Sequence, residues 1–355
     1  MLNGKFGKIN MVDLNFYKNK KVFITGHTGF KGTWLSKILI DSGAIVKGFA
    51  LKPAEGSLYT KISLDSKMES VYGDIRNYEE LKKEFDNFNP EIVFHLAAQP
   101  IVIESYNNPK YTYETNVMGI INLLECIRNS SQVKSFLNIT TDKVYENADL
   151  DIAFEEDFKL NGYDPYSNSK SCSELVTSSY NNSYFKERKI AVSTARAGNV
   201  IGGGDVSENR IIPDCIRAAK SNETIIIRNP DGIRPYEHVL DALSAYLLIA
   251  EKQYNDIAYS GNYNVGPNEE DIITNRKLVE TFCNKWGNIS WKKVSNNGPY
   301  ESKFLRLNCN KIKRELNWKP TWNIEKTIEK VVEFGKYDEK NLEECMEKQI
   351  KDFFK

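Results

Sequence analysis

The sequence predicts an α/β fold: a doubly wound parallel sheet with a smaller C-terminal substrate-binding lobe. Three observations predict it. Short apolar, β-branched runs alternate with stretches of helical length from residue 21 to residue 196. Parallel strands need a crossover helix to bring the chain back, so this alternation builds βαβ units. The first run, KVFIT at 21–25, leads straight into GHTGFKG and then into a stretch ended by Gly43. After Arg196 the alternation loosens into glycine-rich loops and short pieces. We read residues 1–20 as a loosely ordered extension, with Met11 as a second candidate start. Residues 21–198 plus 235–258 form the dinucleotide-binding domain, and 199–234 plus 259–355 the lobe.

The elements follow in order. KVFIT is a buried strand. Gly26, Gly29 and Gly32 then make a tight turn, and TWLSKILIDSG is a helix closed by its glycine. A strand, a glycine turn and a helix start cradle a dinucleotide pyrophosphate: the backbone approaches closely and the helix end offers unpaired N–H groups. Residues 44–50, 70–75 and 91–98 are the next strands, with a helix at 78–88. Residues 110–129 are a helix apolar on more than one face, through Val117, Met118, Ile120, Ile121, Leu123, Leu124 and Ile127. Such a helix packs on two sides, on the sheet and on a partner subunit. Residues 133–140 are a fifth strand, 166–184 a helix, and 190–196 a sixth strand. Beyond them come a helix at 210–220, a strand at 224–228 and a helix at 239–253. IEKTIEKVVEFGK and the charged tail read as surface helices.

Composition narrows the function. Lys plus Arg and Asp plus Glu both number 48, so the net charge is zero. Nothing in that balance suggests nucleic acid or an anionic membrane as partner. No apolar run approaches transmembrane length, and residues 1–20 lack a signal-peptide core. Six dispersed cysteines without a C-x-x-C pair, and three histidines, argue against a metal site. They read as reduced thiols of the cytoplasm.

Chemistry concentrates in Thr141-Asp142-Lys143 and in Tyr166-Ser167-Asn168-Ser169-Lys170. Tyr166 and Lys170 lie one turn apart on one helix face, opened by Asp164 as N-cap and Pro165 in the first turn. The Lys170 ammonium then lowers the pKa of Tyr166 and lets the phenol act as a base. One base oxidises an alcohol. Asp142 and Lys143 add an acid and a second base, which allow an elimination as well.

Given these residues, the chain resembles the extended short-chain dehydrogenase/reductase family and, within its NAD-dependent epimerase/dehydratase group, the CDP-glucose 4,6-dehydratases. The stretches that carry the resemblance include GHTGFKGTWL, HLAAQPIV, TNVMGIINLLE, TTDKVYEN, DPYSNSKSCSEL, ARAGNVIGGGD and IRNPDGIRPYEHVLDAL, spread from residue 21 to about residue 330. Sugar epimerases of this fold usually lack an acid after the Thr, and other nucleotide-sugar dehydratases usually carry Glu where this chain has Lys143.

The resemblance implies a Rossmann fold, NAD as cofactor and a 4,6-dehydration in deoxysugar biosynthesis. Tyr166 takes the proton of the glucose 4-hydroxyl as hydride leaves C4, and Thr141 orients that oxygen. Lys143 takes the C5 proton, or else anchors substrate. Protonated Asp142 supplies the leaving 6-hydroxyl, and hydride returns to C6. Cofactor contacts carry over to Gly26, Gly29, Phe30, Gly32, Asp74, Ile75, Ala97, Ala98, Tyr166 and Lys170. No acid stands about 20 residues past the glycines, where Leu51 and Lys52 are found. His27 and Lys31 therefore contact phosphates or ribose, or face solvent, and NADP stays open beside NAD. Substrate contacts carry over to Gln99, Asn116, Asn199, Arg210, Arg228, Arg234 and His238, the arginines as forks for a diphosphate. The chain departs from close members at Val206 and Tyr236, often Trp, and at Ile103, often Arg. A homodimer is implied. A dehydratase on another nucleotide hexose, a 4-epimerase and a non-catalytic NAD-bound module remain the alternatives.

Overall fold

The computed structural model describes residues 12–294 and 304–355. Met11 lies outside the described residues. Seven strands form one parallel sheet: β1 (Lys21–Thr25), β2 (Ile45–Ala50), β3 (Glu69–Tyr72), β4 (Ile92–His95), β5 (Ser135–Ile139), β6 (Ala191–Ala197) and β7 (Asn262–Val265). Their spatial order is β7-β6-β5-β4-β1-β2-β3. The order reverses between β1 and β4, the place where a sheet of this kind leaves a crevice at its strand ends. Registers are regular: Ile24 of β1 lies beside Gly48 of β2 on one side and Phe94 of β4 on the other.

The helices needed to place the site are α1 (Phe30–Asp41), α2 (Tyr78–Phe88), α3 (Gly119–Asn129), α4 (Pro165–Tyr180), α5 (Ile211–Lys220), α6 (Val239–Asn255), α7 (Asn275–Trp286), α8 (Ile324–Lys336) and α9 (Leu342–Phe353). Strand residues alternate between the two faces, and both faces are buried. Val22, Ile24 and Leu137 join a core with Trp34, Leu243 and Leu247. Phe23 and Phe136 point the other way, into a core with Leu81, Phe85, Leu123 and Ile127. Each such side chain contributes about 1.5–3 kcal/mol of burial. A third core joins Ile212, Ile227, Tyr236, Leu278, Phe282, Ile328 and Val331, from α5, α7, α8 and the short strands near them.

Several expectations change. Residues 12–20 are not loose: Leu14–Tyr17 form a 3₁₀ turn, and the buried Tyr17 hydroxyl donates to the Leu247 carbonyl at 2.6 Å. Residues 262–265, assigned from the sequence to the lobe, are the seventh sheet strand. The helix expected over 110–129 runs through a π turn at Glu114–Met118, and α4 likewise passes into one at Asn181–Phe185. Helices α8 and α9 are amphipathic surface helices, as the sequence predicts. Each is charged on one face and apolar on the other, burying Ile328 and Val331 in α8, Met346 and Phe353 in α9.

Candidate active site

A cleft of about 370 Å³ opens at the C-terminal ends of β4, β5 and β6, where Leu96, Ile139 and Ala197 reach its wall. Thr141, Asp142, Lys143, Tyr166 and Lys170 all line it. So the two sequence motifs, 23 and more positions apart, meet. Strand β5 ends at Ile139, and Thr141 caps the 3₁₀ turn Asp142–Val144 that follows. Helix α4 starts as expected: the Asp164 carboxyl accepts the Ser167 N–H at 2.9 Å and Pro165 opens the first turn.

The electrostatics of this centre are set by burial. The Thr141 hydroxyl donates to Asp142 Oδ1 at 3.0 Å. Burial raises the Asp142 carboxyl above its ordinary range, against the pull of Lys143, Thr141 and Arg234. That favours the protonated acid. The Tyr166 phenol is pushed up to about 12 by burial, opposed by a hydrogen bond with Thr141 and by the charge of Arg210. Lys170 is pulled down to about 7 by burial, then by the charge of Lys31. Its Nζ donates to the Ile139 carbonyl at 3.0 Å. The expectation that Lys170 lowers Tyr166 is therefore not met within the chain itself. Burial dominates both groups, and the ammonium is turned to a carbonyl. Lys143 is half-buried in the wall beside Asp142.

A polar network behind the centre was missed in the sequence. Glu174 of α4 accepts from Thr140 and Thr194 and pairs with Arg196, whose guanidinium also donates to Tyr145 and to the Glu156 carbonyl. Thr140 directly precedes Thr141, so the network ties α4 to the catalytic turn. The signal was available: Glu174 falls one turn beyond Lys170 on the same helix.

The glycine turn fits a dinucleotide. Gly26 has φ +78°, and a Cβ there would stand 2.6 Å from the Ala97 nitrogen. A Cβ on Gly32 would stand 2.1 Å from the Gly26 carbonyl oxygen. The N-cap of α1 is Gly29, with no side chain to occupy the helix-end N–H groups. Backbone, helix end and space are thus left for a pyrophosphate. Phe30 and Ala98 line the cleft beside it.

Other expected residues have partners within the chain. The His27 ring is buried against Gly48, with Nε2 2.7 Å from Ser70 Oγ, and burial pulls it down to about 4. It is a core residue that does not face solvent. Lys31 turns inward to the cleft wall, its Nζ 3.5 Å from the Tyr246 hydroxyl. Asp74 holds Arg76 at 2.7 Å, and Ile75 packs its side chain against Gly119. Gln99 and Asn116 clasp each other: Asn116 Oδ1 accepts the Gln99 N–H at 2.8 Å, and its amide donates to Ser169. They anchor the loop after β4 to α4, out of the cleft lining. His238 is buried between Trp34 and Trp322 and caps α6 through Nδ1.

Asn199, Arg210, Arg228 and Arg234 do line the cleft. Arg210 meets Asp205 at 3.2 Å, and Arg234 is buried with a bond to the Ile233 carbonyl. Tyr236, noted only as a departure, lines the same wall, its hydroxyl donating to Asn275 Oδ1 at 2.6 Å. Among the described residues, no group of three or more His, Cys, Asp or Glu could hold a metal ion, and no helix is long and apolar enough to cross a membrane.

The geometry agrees with comparisons to known proteins. The CDP-glucose 4,6-dehydratase of Salmonella typhimurium is 45% identical over 334 residues, covering 92% of this chain and 93% of that protein. The structure of epimerase Mth375 from Methanothermobacter thermautotrophicus superposes with a TM-score of 0.80 at 23% identity, covering 94% of this chain and 96% of the other. The dTDP-glucose 4,6-dehydratase of Bacillus anthracis, solved in complex with NAD, gives 0.74 at 23% identity, covering 88% and 96%. At those identities the two structures speak for the fold. The model of the family described as GDP-mannose 4,6 dehydratase matches residues 23–331, and the chain belongs to that family.

Proposed function

We propose that the protein is an NAD-dependent nucleotide-sugar 4,6-dehydratase, a hydro-lyase that converts CDP-glucose to CDP-4-keto-6-deoxyglucose. The observation that carries the reading is the meeting of Tyr166 with the Thr141-Asp142-Lys143 turn in one cleft, with Asp142 buried and biased to its protonated form. An epimerase needs only one base at the 4-hydroxyl. The extra acid and amine suit a bond broken at C6. The substrate class is supported by the relative at 45% identity, itself a CDP-glucose 4,6-dehydratase.

The residues divide the work. Gly26, Gly29 and Gly32 would hold NAD, which would supply a hydride acceptor for C4 and a hydride donor for C6. Tyr166 takes the proton from the 4-hydroxyl, which Thr141 orients. Lys143 takes the proton from C5, now acidified by the neighbouring ketone. Asp142 protonates the departing 6-hydroxyl. Arg210, Arg228 and Arg234 present guanidinium groups to the diphosphate, with Asn199 beside them. Lys31 sets its charge against the catalytic wall. A nucleotide lobe drawn from residues 199–234, 275–293 and 324–336 is supported by the separate third core.

Two further readings accompany this one. The exposed Met118 and Leu175, on adjoining helical faces, support a homodimer built from α3, α4 and the π turn before α3. Six free cysteines support a reducing, cytoplasmic setting, with the deoxysugar going to lipopolysaccharide or capsule. The test is one incubation with CDP-, UDP-, dTDP- and GDP-hexoses, read by mass. Loss of one water, fastest from CDP-glucose, is expected. A new isomer of unchanged mass means an epimerase, and no change means neither.

A further inference from the structure

The turn that carries Thr141, Asp142 and Lys143 is joined to α4 at both of its ends. At the near end, Ile139 and Thr140 lead into it. The Ile139 carbonyl accepts Lys170 Nζ at 3.0 Å, and the Thr140 hydroxyl donates to the Glu174 carboxylate. At the far end stands Val144, whose carbonyl accepts the Ser171 hydroxyl at 2.7 Å. Helix α4 also carries Tyr166. The two ends are therefore held to the same rigid element as the phenol.

Ser171 holds more than the turn. Its hydroxyl has one proton to donate. The Val144 carbonyl is the closer acceptor, since the Ser167 carbonyl stands at 3.1 Å. The Ser171 oxygen in turn accepts the Gly162 N–H at 2.9 Å, and the Asn161 N–H donates to the Val144 carbonyl at 3.0 Å. The far end of the turn, the returning chain at 161–162 and α4 thus meet around one hydroxyl. Ser171 and Val144 are both buried, so bulk water is not at hand to replace these bonds. The two ends serve different groups. Thr140 directly precedes Thr141, which orients the 4-hydroxyl. Val144 directly follows Lys143, with Asp142 beside it, and these two groups break the bonds at C5 and C6.

We propose that Thr140 and Ser171 are positioning residues with separate tasks: Thr140, held by Glu174, sets Thr141 for the oxidation at C4, and Ser171 sets Asp142 and Lys143 for the elimination. Neither hydroxyl supplies a proton to the sugar, because each is directed to a partner in the chain. Both act through the turn they hold. An acid or base works only within hydrogen-bond reach of its proton, so a small shift of one end of the turn weakens one half-reaction more than the other. This rests on the dehydratase reading.

The test compares Ser171→Ala and Thr140→Val with the unchanged protein, on CDP-glucose carrying deuterium at C4 or at C5. Deuterium at C4 slows the hydride steps, and deuterium at C5 slows proton removal in the elimination. Tyr166, Asp142, Lys143 and Lys170 stay in place throughout. In Ser171→Ala the elimination should slow by roughly tenfold to a hundredfold, the range from one lost hydrogen bond to a misplaced reacting group. Reduced nicotinamide should then build up during turnover, and the C5 isotope effect on kcat should rise while the C4 effect falls. Thr140→Val should do the reverse: slower nicotinamide reduction, no build-up and a raised C4 effect. A merely structural role lowers thermal stability and leaves both isotope effects at their parent values, and that result overturns the proposal. The same isotope pattern in both variants overturns it too. If Ser171→Ala does not fold, Ser171→Cys, a weaker donor of similar shape, is read in the same way. An unchanged protein that releases no water overturns the dehydratase reading. Water release without the crossed pattern overturns the positioning roles alone.

Discussion

Arg196 and Glu174 form an ion pair 2.9 Å apart with both side chains buried, and the same carboxylate accepts from Thr140. Removing one partner leaves the other charge buried and alone, which costs about 3–5 kcal/mol. Glu174→Ala should therefore lower unfolding stability by that order in urea titrations. Glu174→Gln should cost less but still slow turnover, because Thr140 leads into Thr141. Parent-like stability in the Ala variant would remove the pair from any structural role.

Tyr166→Phe keeps the ring and removes the proton acceptor. Turnover should fall by roughly a hundredfold to ten-thousandfold, the usual scale for a positioned acid–base group. Calorimetry should show little change in nucleotide-sugar affinity. Near-normal turnover would sink the assignment.

Asp142→Asn and Lys143→Met test oxidation apart from elimination. Both leave Tyr166, Lys170 and the glycine turn intact. Each should still form reduced nicotinamide, seen by its near-ultraviolet absorbance, while water loss stalls. If Lys143→Met loses water at the parent rate, Lys143 is an anchor and the C5 base lies elsewhere in the cleft.

Asp241 gives a pH prediction. Its Oδ1 accepts the Thr321 N–H at 2.5 Å while Oδ2 has no partner among the described residues, and burial pushes the carboxyl up to about 8. An unfolded Asp titrates near ~4. Between those values the folded state binds more protons than the unfolded one. Its contribution is full below the unfolded value and is lost as pH rises through the folded value, at up to about 1.4 kcal/mol per pH unit. Lys31 and Lys170, pulled down to about 8 and about 7, act oppositely: their penalty is relieved as pH rises above those values. The difference between parent and Asp241→Asn isolates Asp241. The variant should gain relative stability steadily up to about pH 8. A flat difference across that range would exclude a neutral Asp241.

Met118 and Leu175 are 50% and 56% exposed. If they meet a second copy, Met118→Glu with Leu175→Glu should turn a dimer into a monomer in sedimentation at micromolar concentration. A parent protein that already sediments as a monomer would contradict the dimer.

The sheet was legible because its strands are short, apolar and separated by helices of matching period. β1 and α2 appear where the sequence places them, and in the structure Asn77 and Asn89 cap α2. The catalytic turn and the start of α4 were legible because their chemistry lies in consecutive residues. Direction was not. His27, Gln99, Asn116 and His238 have polar side chains in the expected stretches, yet each satisfies a buried partner. Which way a side chain turns is decided by neighbours far away in sequence, such as Gly48 making room for the His27 ring. β7 was hidden for the same reason. NYNV is short and weakly apolar, and only pairing with β6 makes it a strand. Glu237 was also passed over. It is a buried carboxyl on the strand Tyr236–His238, neither oxygen having a partner among the described residues.

Helix α9 has a consequence for how the chain reaches its fold. The Lys37 ammonium of α1 meets Glu347 of α9 across 310 positions, and Met346 and Phe353 share a core with Trp34. The first βαβ unit thus depends on partners made long after it. Closing so large a loop costs entropy before any contact returns it, and contacts of high sequence separation slow folding. Until α9 docks, the Lys37 ammonium lacks Glu347 and the core lacks Met346 and Phe353, so the nascent chain carries apolar surface of the kind chaperones bind.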